Sequence, residues 1–155
     1  MDFRISALPV APFVPLFGLS GPELVTRGVV RMTADHSPGF PCRVSLCDAS
    51  VGEPVLLLNY EHLAIATPYR SRNAFYVREC AVERRPEANE VPDVLRRRLR
   101  SVRAFDGDGM MLNADVVEGA RVETVLQKWL CDRRIAYLHL HNAKPGCYAA
   151  RADRA

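Results

Sequence analysis

The chemistry of this chain is concentrated in one segment, Tyr137-Leu138-His139-Leu140-His141-Asn142-Ala143-Lys144-Pro145-Gly146-Cys147-Tyr148-Ala149-Ala150-Arg151. Two histidines one residue apart can offer both imidazoles to one metal ion when they lie on a strand, because residues i and i+2 share a face. A third ligand would then come from His62, Cys42 or Cys147. A cysteine beside a histidine can instead act as a nucleophile. Cys42 and Cys147 each adjoin a Pro/Gly turn and a polar residue. In that reading His139 or His141 serves as base and Asn142 orients it. Cys47, Cys80 and Cys131 read as small hydrophobes. Arg43, Arg70 and Arg151, with Tyr69, Tyr148 and His62, suggest recognition of an anion, because a guanidinium matches carboxylate and phosphate geometry.

These groups need strands and turns to position them. The apolar-polar alternation over Ile135 to His141 predicts a strand with Ile135, Tyr137, His139 and His141 on one face. Lys144-Pro145-Gly146 predicts a turn that returns Cys147 to Arg151 as its partner. Val55 to Tyr60, nearly all apolar, predicts a central strand. His62 to Asn73 reads as irregular, followed by a strand from Phe75 to Arg78. Ser101 to Phe105 and Met110 to Val116 flank Asp106-Gly107-Asp108-Gly109, a hairpin signature. The same four residues lack the further oxygen ligands of a calcium loop. Ser20-Gly21-Pro22-Glu23 carries a capping-box spacing that predicts a short helix ending at Gly28. Phe3 to Leu8 and Val29 to Thr33 read as strands, and Val94 to Arg98 as one or two helical turns. Val122, Val125, Leu126, Trp129 and Leu130 repeat at three-four spacing, which predicts one long helix over residues 118–131 with Leu126 and Trp129 buried.

Bulk properties narrow the function classes. A chain of 155 residues is one domain with a sizeable core of its own. The net charge of +3 is too small to indicate nucleic acid. Arg96, Arg97, Arg98, Arg100 and Arg103 cluster, but Glu83, Glu87, Glu90 and Asp93 precede them and no aromatic residue interleaves. Nucleic acid is therefore not an expected partner. No stretch approaches the length of a membrane span, and the start, Met1-Asp2-Phe3-Arg4-Ile5-Ser6, lacks an export signal. Five cysteines without a CxxC pair fit reduced thiols in the cytoplasm.

Several segments together resemble a known family. They are Pro38 to Leu46, Leu57 to His62, Thr67-Pro68-Tyr69-Arg70, Val77-Arg78-Glu79, Leu99 to Asp106 and His141 to Tyr148, in that order. The chain resembles the bacterial domain-of-unknown-function family 1203 over nearly its whole length. The resemblance implies a single-domain member and carries over no catalytic residue. Its motifs coincide with Cys42, Arg43, His62, Tyr69, Arg70, His141, Asn142 and Cys147, which implies that these converge in space.

The expected fold is α+β: a single domain, residues 1–155, with a mainly antiparallel sheet and the 118–131 helix packed on it. The leading expectation for function is a pocket for a small anionic molecule, with Cys/His chemistry, no cofactor and no assigned metal. The alternatives are a non-catalytic homodimer, motivated by the apolar Ala7 to Leu19 segment with Phe13 and Phe17, and a mononuclear metal site on His139 and His141.

Overall fold

The computed structural model describes residues 1–155. In chain order its elements are strand β1 (Phe3–Ser6), helix α1 (Gly21–Val25), strands β2 (Val30–Thr33), β3 (Pro54–Leu63) and β4 (Ser71–Arg78), helix α2 (Asp93–Arg96), strands β5 (Arg100–Phe105) and β6 (Met111–Val117), helix α3 (Val122–Trp129), and strands β7 (Tyr137–Asn142) and β8 (Tyr148–Arg154). Two antiparallel sheets result, one ordered β1-β8-β7-β5-β6 and one ordered β2-β3-β4. No helix is long and apolar enough to cross a membrane.

The local signals act as their chemistry requires. Ser20 Oγ accepts from the Glu23 amide at 3.3 Å, while the Glu23 carboxylate accepts from the Ser20 amide at 2.7 Å, so the capping box starts α1. Asp106 Oδ1 accepts from the amides of Asp108 and Met110, closing the β5–β6 turn. Gly146 turns the chain between β7 and β8 with φ +77°, a conformation that costs other residues a steric clash.

The predicted long helix is not formed. Gly119–Arg121 make a 3-10 turn and only Val122–Trp129 are α-helical, so the structure is mostly antiparallel sheet with short helices, and α+β in a loose sense only. The three-four apolar spacing is real, since Val122 and Leu126 are buried against Val102, Leu138 and Leu140 and Trp129 is half-buried at the edge of that core. The ends, however, are fixed by tertiary contacts. At Gly119 the chain passes over the backbone carbonyls of Leu95, Arg96 and Arg98, which tightens the first turn. At the other end Asp132 accepts from the Ile135 and Arg134 amides and starts a turn.

The segment His62 to Asn73 is more regular than its composition suggests. β3 continues to Leu63 and β4 begins at Ser71. Polar residues on both faces hide the two-residue alternation at that end of the hairpin. Val55 and Leu56 are buried, and β3 is central in its sheet as expected.

One core lies between the five-stranded sheet and α2 and α3. A second lies under the three-stranded sheet, where Leu56, Leu58, Phe75 and Val77 meet Phe13, Leu24 and Tyr148. Phe13 is buried and its ring sits 5.2 Å from that of Tyr60. Through Phe13 the Pro-rich segment packs on the sheet of its own chain, while Phe17 is half-buried and Val14 is exposed. Tyr148 belongs to β8, so the β7–β8 hairpin lies between the two layers.

A methyl group at Gly119 would stand 2.4–2.5 Å from three backbone carbonyl oxygens. The Gly119→Ala variant is expected to lose about 1–3 kcal/mol of stability through overpacking, read as a lower urea midpoint at unchanged slope.

Candidate functional site

Strand β7 is buried at all six positions, so both of its faces must be packed or paired. Leu138 and Leu140 enter the first core. Tyr137, His139 and His141 point the other way, toward the three-stranded sheet. On β8, Arg151 pairs with His139 in register, and a bulge between Leu140 and His141 brings Tyr148 opposite His141. A bulge re-aims side chains locally. A second bulge does the same on β3: Glu61 pairs with Arg72 and Leu63 with Ser71, leaving His62 as the extra residue.

His62, His139 and His141 thereby meet. One ring nitrogen from each lies within 4.8 Å of the others. The His62 ring stacks on Tyr148 at 4.8 Å, and its centroid lies 5.2 Å from that of His141 and 5.7 Å from that of His139. His141 Nδ1 lies 2.9 Å from the Gly146 carbonyl. That contact requires a proton on Nδ1 and leaves the Nε2 lone pair free. Both nitrogens of His62, Nδ1 of His139 and the Tyr137 hydroxyl are buried without a hydrogen-bond partner. Leaving such a group unpaired costs about 1–3 kcal/mol, so four in one cluster call for an explanation.

All three imidazoles are neutral. Burial pushes His62 down to about 4, opposed by the nearby Asn73 side chain, which does not reach hydrogen-bond geometry with the ring. Burial, then the neighbouring His141 and His62, push His139 down to about 2. Burial, then Arg103, push His141 down to about 3. Arg103 lies on β5 opposite His139. It has no carboxylate partner and bonds only to Ser101 Oγ, at 3.2 Å.

On the opposite face the hairpin lines a cleft of about 700 Å³. Cys147 and Asn142 line it together with Arg43, a residue only 2% exposed. The Arg43 guanidinium donates to the Tyr148 carbonyl at 2.7 Å, to the Pro41 carbonyl and to Cys147 Sγ at 2.9 Å. It has no carboxylate partner, and burial pulls its pKa down. It nevertheless stays charged, as guanidinium does in proteins. Arg100 is buried behind it and donates to Asn142 Oδ1 and to the carbonyls of Val94 and Leu95. The Asn142 amide in turn faces Cys147 Sγ at 3.5 Å. Arg97, Arg98 and Lys144 line the cleft farther out, with Glu118 the one carboxylate in the lining.

The sequence-predicted residues thus divide between two places. No histidine bonds to either candidate sulfur, so the Cys-His-Asn arrangement does not form: Asn142 is engaged by Arg100, and His141 by Gly146. Cys42 is a buried structural thiol whose sulfur accepts from the Ser45 and Arg78 amides at 3.4 and 3.3 Å. Tyr69 packs edge-on against Phe105, and Arg70 is an exposed partner of Glu61 at 3.0 Å. Arg151 lies 4.1 Å over the Tyr137 ring and pairs with Asp153 at 2.6 Å.

Reasoning from sequence missed Arg100 as the anchor of Asn142. It also missed Asn73, whose Oδ1 accepts from the Tyr148 amide at 3.0 Å and ties the two sheets together. Alternation along Arg100 to Phe105 was the available signal for Arg100, on the face opposite Ser101 and Arg103. The arginine cluster is dispersed: Arg96 pairs with Glu123, Arg98 with Asp48, and Arg84 with Glu90.

The family model described as "Protein of unknown function (DUF1203)" matches residues 39–154. The match takes in both faces of the hairpin, with His62, Arg43 and Cys147, and leaves out β1, α1 and β2. No curated protein and no solved structure matches the chain.

The depressed histidine values have a consequence for stability. In the unfolded chain each imidazole takes up a proton near 6.5, whereas the folded chain refuses it until about 4, 3 and 2 for His62, His141 and His139. Between those limits the unfolded state binds more protons, so acid favours unfolding. Stability is expected to be full above pH 6.5 and to fall as pH drops toward 4. Urea midpoints measured against pH in EDTA check this, and His139→Leu should flatten the slope.

Proposed function

We propose that this chain, which belongs to the DUF1203 family, binds a small carboxylate- or phosphate-bearing molecule in the cleft floored by Arg43 and Cys147. One observation carries the reading: Arg43 is a buried guanidinium without a carboxylate partner. Burying a charge is costly unless it is paired, and carbonyls and one sulfur compensate it only in part. An anion placed against Arg43 supplies the missing charge through the bidentate geometry guanidinium favours. The cleft volume falls in the range of small-molecule sites, and the lining sets Arg43, Arg97, Arg98 and Lys144 against Glu118 alone. Asp48 pairs with Arg98 and, at 3.9 Å, with Arg97, whereas exposed Lys144 makes no ion pair and is free to draw an anion inward.

The reading is recognition rather than transformation. Cys147 has no base within reach, and its neighbour Asn142 donates only weakly. Five unpaired cysteines fit a reducing, cytoplasmic setting, where a thiol beside a bound ligand persists.

Alkylation of the native protein tests this. Iodoacetate and iodoacetamide carry the same leaving group and differ in charge. Cys147 is expected to favour iodoacetate over iodoacetamide by about tenfold relative to exposed Cys80 and Cys131, because the cleft concentrates anions. The preference should shrink in Arg97→Gln/Lys144→Gln and in high salt. Equal reagent ratios at Cys147 and Cys80 would overturn the reading.

A further inference from the structure

We propose that His62, His139 and His141 form a binding site for a divalent transition-metal ion of the zinc class, with one coordination position left to water or a small anion. The site is separate from the cleft, on the other face of the β7–β8 hairpin.

Four observations converge. Three imidazoles from two different sheets present one nitrogen each within 4.8 Å of the others. A tetrahedral metal with bonds of about 2.0–2.1 Å holds its nitrogens about 3.3 Å apart, so a shift of about an ångström closes the cluster on an ion. The rings carry nitrogens with nothing to bond to: His139 is 2% exposed with Nδ1 unpartnered, and His62 has neither nitrogen paired. A core that merely tolerated histidines would pair them. His141 already has the outer contact of a metal ligand. Its Nδ1–H points at the Gly146 carbonyl and fixes the tautomer that exposes Nε2. Finally, strand alternation aims all three inward: His139 and His141 share one face of β7, and His62 follows Leu56, Leu58 and Tyr60 on the face of β3 that meets Tyr148.

The donor set identifies the ion. Three neutral nitrogens and no carboxylate or thiolate suit zinc, cobalt, nickel or copper, not calcium or magnesium. Neutral ligands leave the charge of a divalent ion uncompensated, and the unpaired Arg103 on the same face adds to it. The fourth ligand is therefore an anion, or water that gives up a proton readily. Three histidines with one open position are the donor set of catalytic rather than structural zinc sites.

The test uses the full chain, stripped with EDTA, freed of the chelator and titrated with Co²⁺. The proposal expects about one equivalent bound per chain with the visible absorption of four-coordinate, nitrogen-ligated cobalt, a spectrum that changes on adding azide, and displacement by Zn²⁺. His62 is only partly buried, so His62→Asn is the variant that keeps the fold, checked by circular dichroism. It should weaken binding by more than about 100-fold, beyond the loss of an outer-shell partner. Cys147→Ser should leave binding unchanged, which separates this site from the cleft. A melting temperature that rises with Zn²⁺ in the wild type and not in His62→Asn gives the same answer without cobalt. Cobalt lost on dialysis, binding that survives His62→Asn, or a sulfur-to-cobalt absorption abolished by Cys147→Ser would each overturn the proposal.

Discussion

Burial of β7 on both faces is the constraint on which the rest of this structure depends. A strand sandwiched between two layers is ordinarily apolar throughout. Here one face, Leu138 and Leu140, packs beneath α3, while the other carries Tyr137, His139 and His141 into contact with the three-stranded sheet. Polar groups in that position must find partners, remain neutral or bind something. Neutrality is achieved by burial, and one partner is found in the Gly146 carbonyl. The remaining nitrogens have none.

The same hairpin sets the geometry of the opposite face. Asn142 and Cys147 flank the turn whose Gly146 adopts a positive φ, and Arg43 reaches across from the loop after β2 to bond the Tyr148 carbonyl and the Cys147 sulfur. Arg43 and Arg100 are both buried without acidic partners, and both spend their donors on carbonyls or amide groups that shape the cleft. Arg43 thus acts on the fold and on the cleft at once. Removing it would leave carbonyls without donors as well as emptying a charged floor. The anion reading and the packing of the loop are two consequences of one buried charge.

Much of this was legible in the chain. Alternation over Ile135 to His141 placed His139 and His141 on one face, and the Pro-Gly turn gave the returning strand. The Asp106–Gly109 hairpin and the Ser20 capping box are local chemistry and appear as read. The helix over 118–131 is where local reasoning failed: its apolar face is real, but its ends are set by Gly119 against the α2 carbonyls and by the turn at Asp132. The β3–β4 hairpin was hidden because both faces of its far end are polar. Which residues converge was only partly legible. His62 joins the other two histidines because β3 and β7 belong to different sheets packed face to face, and no spacing along one strand reports which strand of another sheet it meets. Tyr69 and Arg70 lie at the same hairpin end yet point to Phe105 and Glu61. The grouping of Cys147 with Arg43 rather than with a histidine follows from the opposite pointing of successive side chains, Cys147 from Tyr148 and Asn142 from His141.

Three imidazoles are held inside the protein as neutral, mostly unpartnered bases. Nitrogen-15 NMR of the histidine rings in metal-free protein, followed across pH, tests it most directly. Expected are no protonation of His62, His139 and His141 down to pH 5 and a proton on Nδ1 of His141. A member of the cluster titrating near 6.5, or a His141 protonated on Nε2, would contradict it.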